Sequence, residues 1–329
     1  MVSDSKRTGA TQVETYSPDD LREKYKETKW ISPYQKIVAV HDEKLSQIEV
    51  HEYHARGKCV GGAAWETYHY PRVSPLVLEA RREGPKNIFR VKTGSTNLHL
   101  VPGIAGAGIE QACVDGEEIK LTYAGLAGGG IAATICRGLA SGVKRIEIKE
   151  RGGGNQLGRA TLILPLKHRL VVGIDDTDSP SGGATWSLSN ELGYFLEKHR
   201  QADYLNHTIV QLYTGNPWKT TNGVSIALTF AVLPQKKEKL IQIIKRQLRQ
   251  NSQSSETAIA LFDGIKPPDS IKVFALHAKT RLIEMEEAQT TARGENVSLV
   301  PITGQRGVIG ALAAIGYADE PDEAVKIIK

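Results

Sequence analysis

The sequence predicts an α/β protein of two domains, each built of mixed helix and strand layers, and three observations carry that prediction. The chain has 329 residues, enough to fill two hydrophobic cores. Short apolar runs of strand length alternate with stretches of helical periodicity. Glycine-rich segments lead repeatedly into helical patterns, an arrangement that lets backbone amides approach an anion. The domains are expected at residues 21–168 and 169–329, behind a flexible tail over residues 1–20.

Composition narrows the class further. With 40% hydrophobic and 24% charged residues the chain is ordinary for a globular protein in water. No apolar stretch nears the roughly 20 residues of a membrane helix, and the polar start from Met1 to Asp19 carries no secretory signal. Cys59, Cys113 and Cys136 form neither a CxxC pair nor an even disulfide framework. They read as reduced thiols that fill space, which points to the cytoplasm and to no membrane partner. The net charge of +5 and pI of about 8.9 permit contact with RNA or acidic partners without demanding it.

In the first domain, residues 21–29 read as a charged helix that ends at Trp30 to Tyr34. Residues 36–52 and 73–81 read as strands about a turn-rich stretch at Gly57, Gly61 and Gly62, and Asn87 to Lys92 as a further strand. Leu100-Val-Pro-Gly-Ile-Ala-Gly-Ala-Gly108 and Tyr123-Ala-Gly-Leu-Ala-Gly-Gly-Gly130 are each expected to open a helix of small residues. Either they hold an anion or they permit tight helix-strand packing; neither matches GxGxxG or the P-loop. Arg145 to Lys149 and Thr161 to Leu166 read as strands, with Arg151-Gly-Gly-Gly-Asn155 as a turn or anion-holding nest between them.

The second domain opens on Leu170-Val-Val-Gly-Ile-Asp-Asp-Thr-Asp-Ser179, where an apolar strand ends in three carboxylates within four residues. Ligands gather at the carboxyl ends of strands in open α/β sheets, so Asp175, Asp176 and Asp178 stand at a ligand-facing edge. Ser179-Pro-Ser-Gly-Gly183 follows, then a helix with Leu188, Leu192, Phe195 and Leu196 inward. Carboxylates for a divalent cation beside the amides at Gly182 and Gly183 suit a nucleotide with Mg²⁺. The same residues also suit an Asx turn that caps the helix, with Asp178 and Ser179 as local acceptors.

Thr208 to Tyr213 and Val224 to Val232 read as strands about the loop Thr214-Gly-Asn-Pro-Trp-Lys-Thr-Thr-Asn-Gly223. Lys219 there can meet a phosphate and Trp218 a base, or Trp218 can simply cover the core. Leu233 to Gln250 is a basic amphipathic helix, with Leu240, Ile241, Ile244 and Leu248 inward. Residues 251–256 read as a linker, 257–262 and 297–302 as strands, and 268–280 and 284–293 as helices. Gly304-Gln-Arg-Gly-Val-Ile-Gly-Ala-Leu-Ala-Ala-Ile-Gly316 repeats the glycine-to-helix pattern; it offers phosphate donors through Arg306 and Gly307, or close packing against the sheet.

Three signatures, Gly173-Ile-Asp-Asp-Thr-Asp-Ser179, Asn216-Pro-Trp-Lys-Thr220 and Arg306-Gly-Val-Ile-Gly-Ala-Leu-Ala-Ala-Ile-Gly316, resemble in the same order motifs of archaeal tRNA(Ile) agmatinylcytidine synthetase. The likeness covers residues 169–318, matching that enzyme's kinase-like portion and adjoining α/β region. As a whole the chain resembles the methanogenesis marker protein 11 family of methanogenic archaea. The resemblance implies ATP and Mg²⁺: Asp175, Asp176 and Lys219 catalytic; Asp175, Asp176 and Asp178 on the metal; Gly182, Gly183, Asn216, Lys219, Arg306 and Gly307 on the cofactor.

There is one departure in the motifs. In the synthetase the loop lysine is followed by Thr-Arg-Gly-Asn; here Lys219 is followed by Thr220-Thr221-Asn222-Gly223, so a basic residue is missing. The chain ends at Lys329 without OB-fold or zinc-ribbon regions, so RNA is not the expected partner. The resemblance therefore implies an ATP-dependent enzyme acting on a non-tRNA carbonyl or amide linked to methanogenesis. The alternative is a non-catalytic nucleotide-binding factor for proteins associated with methyl-coenzyme M reductase.

Overall fold

The computed structural model describes residues 13–328. Contacts divide the chain into two compact units, Met1–Leu166 and Lys167–Lys329. Of the tail expected over residues 1–20, residues 1–12 lie outside the described residues. Beyond them the chain is ordered: β1 (Glu14–Tyr16) leads into α1 (Pro18–Lys24). Ser17 caps that helix in a reciprocal box with Asp20, Pro18 supplies its first turn, and Leu21 anchors it in the core.

Unit 1 continues through β2 (Tyr34–Asp42), β3 (Gln47–Ala55), α2 (Val60–Val73), β4 (Val77–Glu83), β5 (Lys86–Lys92), β6 (Gly94–Ser95), β7 (Ala107–Asp115) and β8 (Glu118–Leu126). It closes with α3 (Ala127–Ile131), a π-helical turn at Ala132–Cys136, β9 (Arg145–Gly153) and β10 (Gln156–Pro165). One sheet has the order β1-β9-β10-β8-β7-β6 and the other β2-β3-β5-β4. Two expectations fail here. Val60–Val73 is a helix where a turn was expected, because its glycine start and aromatic body give it no clear apolar stripe. The stretch 100–108 leads into strand β7 rather than a helix. The second glycine stretch does open a helix, and its glycines are there for packing: a Cβ on Gly158 would lie 2.3 Å from Gly130 O, and one on Gly125 2.5 Å from Gly129 O.

Unit 2 has β11 (His168–Asp175), α4 (Thr185–Lys198), β12 (Asp203–Gln211), β13 (Val224–Val232), α5 (Lys237–Asn251), β14 (Ala258–Asp263), α6 (Asp269–Thr280), α7 (Met285–Gly294), β15 (Ser298–Pro301), α8 (Val308–Gly316) and α9 (Pro321–Ala324). Its sheet has the order β12-β13-β11-β14-β15, and each neighbouring pair is antiparallel. The central strand β11 is apolar on both faces because both are covered. Leu170, Val172 and Ile174 pack with Leu192 and Leu196 of α4 and with the inward stripe of α5. Val171 packs on the other side with α6 and with Ala311, Leu312 and Ile315 of α8. The result is helix, sheet and helix in three layers.

The topology explains what gathers at the end of β11. Its neighbours run the opposite way, so the loops that precede β13 and β14, residues 212–223 and 252–257, arrive beside Asp175. Gly173 brings α8 against the same strand, since a Cβ there would lie 1.8 Å from Ala311 O.

Candidate functional site

The polypeptide turns sharply where β11 ends. Asp176 has φ of +56°, in the left-handed region that Asp tolerates better than most residues. Three hydrogen bonds hold it there or nearby: Asp176 N donates to Asp175 Oδ1 at 2.8 Å, Thr257 Oγ1 donates to Asp176 O at 2.7 Å, and Gln253 N donates to Thr177 O at 2.8 Å. Buried Thr177 and Thr185 then fasten the loop to α4. Thr177 Oγ1 donates to Thr185 Oγ1 at 3.1 Å, and Thr185 Oγ1 donates to Asp178 Oδ1 at 2.7 Å.

Around this turn lies a cavity of about 500 Å³. Asp175, Asp176 and Asp178 form its floor, with Gly183 and the start of α4 beside them. Helix α4 begins at Ala184 with no side chain capping its first amides, so its positive end faces the cavity. The 212–223 loop contributes Asn216, Trp218 and Lys219; Arg306 and Gly310 come from the approach to α8, and Arg281 to Met285 from the α6–α7 connection. Trp186 and Trp218, 53% and 56% exposed, offer two aromatic faces to a ligand.

Electrostatics here are unbalanced. Burial, followed by the charges of Asp176 and Asp178, pushes the Asp175 carboxyl well above the usual carboxylate range. Burial also raises Asp176, although the Arg306 guanidinium, with Nε 3.3 Å from Asp176 Oδ2, opposes it. One half-exposed cation therefore faces two desolvated acids, and a further positive charge would relieve them.

The structure brings some of the sequence-predicted site residues together and leaves others apart. Asp175, Asp176, Asp178, Gly183, Asn216, Lys219 and Arg306 line one cavity. Gly182 does not: its amide donates to Ser179 O at 3.0 Å, closing the 179–182 turn. Gly307 is also withdrawn, its amide donating to Glu256 O at 3.0 Å. The neighbouring amides of Gln305 and Arg306 donate to Glu256 Oε2 at 3.2 and 3.1 Å, so an internal carboxylate fills the nest expected to hold phosphate. Asn216 organises its own loop, its Oδ1 accepting from Trp218 N at 3.0 Å. Among the described residues no three His, Cys, Asp or Glu side chains converge as a metal-ligand set. Of the expected trio Asp175, Asp176 and Asp178, the last has its Oδ1 accepting from Thr185 Oγ1 at 2.7 Å. Sequence reasoning missed Thr185, Glu256 and Thr257, polar residues whose roles depend on tertiary neighbours.

The fold and the acidic turn define a class before they define a family. Residues 171–239 match the family signature described as the TiaS TCKD domain. The tRNA 2-agmatinylcytidine synthetase TiaS of Pyrococcus horikoshii is 30% identical over 152 residues, and that of Thermococcus sibiricus 28% over 154. Each match covers 45% of this chain and 35% of the synthetase, so the chain spans about a third of those relatives. A crystal structure of TiaS in complex with its tRNA and ATP aligns over 46% of this chain and 37% of its own, with TM-score 0.41 and 23% identity. The particular family follows from a longer match. Uncharacterized protein MJ0921 of Methanocaldococcus jannaschii is 45% identical over 294 residues, 89% of this chain and 97% of that protein, and the chain belongs to its family.

Proposed function

We propose that unit 2 binds ATP with Mg²⁺ and that the protein is an ATP-dependent enzyme which phosphorylates or activates a carbonyl or amide group of a non-tRNA substrate linked to methanogenesis. The observation that carries this reading is the under-neutralised pair Asp175 and Asp176 on the floor of a cavity walled by Lys219, Arg306 and the open end of α4. Two carboxylates fit Mg²⁺, which takes one or two of them and completes its shell with phosphate oxygens and water. Bound Mg²⁺-ATP would supply a transferable phosphoryl group. Asp175 and Asp176 would hold the metal, and Gly183 would let the chain pass close to the phosphates. Lys219 and Arg306 would offset phosphate charge, and Trp186 or Trp218 would stack on the base. The apolar residues Leu282, Ile283 and Met285 leave a less polar end for the acceptor.

Relatedness of residues in unit 2 to tRNA 2-agmatinylcytidine synthetases supports an ATP-using reaction, while membership of the methanogenesis marker protein 11 family and the link to methanogenesis are part of the proposal. A second reading draws on Thr221, which stands where the synthetase motif has a basic residue. On that reading the protein binds nucleotide without turnover, as an assembly factor for proteins associated with methyl-coenzyme M reductase. Calorimetry with ATP, with and without Mg²⁺, on the wild type and on Asp176→Ala tests both. Mg²⁺-dependent binding lost in Asp176→Ala is the expected result, and ATP hydrolysis separates enzyme from factor. Equal binding by both proteins, or binding by neither, overturns the site.

A further inference from the structure

Unit 1 contains a cavity of about 720 Å³ that the nucleotide chemistry leaves unused. Its wall carries Cys59, the N-cap residue of the 14-residue helix α2, and His54, near the end of β3. Gly62 explains how the two come together. A Cβ at Gly62 would lie 2.6 Å from His54 Nε2 and 2.9 Å from Cys59 Sγ, so imidazole and thiol close on one point beside a side-chain-free helix turn. His54 is only 8% exposed, yet its Nδ1 has no hydrogen-bond partner among the described residues.

Behind His54 lies a buried charge cluster. Arg137 Nε and Nη2 donate to Glu52 at 2.9 and 2.8 Å, and Nη2 also donates to Glu66 Oε1 at 2.9 Å. One guanidinium thus serves two carboxylates, and His54 Nε2 stands 3.6 Å from Glu66 Oε1. His54 Nε2 thus stands between that cluster and the thiol. Cys136 shares the wall, but burial pushes its thiol up, which leaves Cys59 as the nucleophile.

We propose that this cavity is a second catalytic site, in which Cys59 attacks the carbonyl carbon of an anionic acyl compound and His54 carries the proton, with Glu66, 3.6 Å from His54 Nε2, stabilising the ring while it is charged. The S–C bond forms as the bond from the carbonyl carbon to the leaving oxygen or nitrogen breaks. The thiol proton passes through His54 to that leaving group, and water then hydrolyses the thioester and restores the thiol. No side chain caps the first amides of α2, which follow Cys59 directly, and this positive helix end can take the developing oxyanion charge. Trp30 and Ile131 suit an acyl chain, and the exposed Arg56 and Lys58 suit an anionic group on the same molecule.

The test uses the full chain with p-nitrophenyl acetate as probe. A burst of about one nitrophenolate per chain is expected, with acetyl on the Cys59 peptide by mass spectrometry. Cys59→Ser abolishes the burst, Cys113→Ser preserves it, and His54→Asn slows it by about 100-fold with the wild-type melting curve intact. Acetyl spread over all three cysteines, or a His54→Asn burst at the wild-type rate, overturns the proposal. Iodoacetamide gives a readout that needs no His54 variant: Cys59 is expected to alkylate at least about tenfold faster than Cys113, and equal rates refute the site.

Discussion

Replacing Gly310 by alanine is the sharpest probe of the acidic site. A Cβ at Gly310 would lie 1.8 Å from Asp175 Oδ2, about 1.6 Å short of the 3.4 Å at which ordinary contact begins. Neither side can yield cheaply. Gly310 sits in a helix pressed against β11 through Gly173, and Asp175 is held by its own strand and by the amide of Asp176. The carboxylate must therefore swing aside. A displacement beyond 1 Å at a group that positions a reacting phosphate lowers turnover by about 100-fold, and metal-oxygen distances tolerate only about 0.2 Å. Alanine also has the better helix propensity by about 1 kcal/mol, so the fold is expected to survive. Calorimetry with Mg²⁺-ATP on Gly310→Ala should show affinity reduced by about 10- to 100-fold, with a cooperative melting transition that shows the fold intact. Gly294→Ala is the control, since nothing lies within 4 Å of its added Cβ and it closes α7 away from the cavity. If Gly310→Ala binds Mg²⁺-ATP as tightly as wild type, the assignment of Asp175 to the metal is wrong.

Glu256→Ala removes the acceptor for the Gln305 and Arg306 amides; a loss of about 1–2 kcal/mol, or roughly 4 °C in the melting temperature, is expected by calorimetry. Trp218→Ala removes one exposed aromatic face of the cavity, and nucleotide affinity should fall by about tenfold if the ring stacks on the base; unchanged affinity assigns stacking elsewhere. In unit 1, burial alone would raise Glu66, but Arg137 and His54 outweigh it and hold the carboxyl at about 2 against an ordinary value of 4.5. A depressed carboxyl contributes stability above its unfolded value and loses it as pH falls through the folded one. Hydrogen exchange in peptides from unit 1 should therefore accelerate between about pH 4.5 and pH 2, and Glu66→Gln should flatten that dependence.

The parts of this fold that were legible in the sequence are those whose signal is local. The apolar run at Leu170 to Ile174, the strand Val224–Val232 and the amphipathic helix α5 all sit close to where periodicity puts them. Helix α2 was not legible, because Cys59-Val-Gly-Gly carries turn residues at its start and Pro71 interrupts its last turn. Glycines carried a further ambiguity. Gly173, Gly307 and Gly310 occur in the motifs that suggested phosphate, yet a Cβ on each would strike Ala311 O, Glu256 O or Asp175 Oδ2. Sequence alone does not tell a glycine needed for close helix packing from one needed for an anion, because both demand the same missing side chain. The acidic residues were legible as a group, but their division of labour depended on Thr185 and Arg306, which lie 7 and 130 positions from the carboxylates they engage.

Two buried acidic clusters among the described residues, Glu52 with Glu66 and Asp175 with Asp176, contrast in a way that carries the functional argument. Glu52 and Glu66 are satisfied from within: Arg137 is fully buried, donates to both, and lies under the rings of Tyr34 and Tyr123 at 4.5 and 4.4 Å. Such a cluster is complete as a structural ion pair, and removing the arginine would be strongly destabilising, by about 3–5 kcal/mol. Asp175 and Asp176 have no equivalent partner. Their nearest guanidinium is 40% exposed, it engages Asp176 through one nitrogen at 3.3 Å, and a backbone amide is the donor for Asp175. Burial raises both, with the Asp176 charge adding to the rise at Asp175, a cost that a fold maintained only for stability would remove by substituting one of them. The turn instead preserves the strained backbone at Asp176, and the missing side chain at Gly310 leaves room for the Asp175 carboxyl, so the pair is kept together on the cavity for a cation from outside the chain.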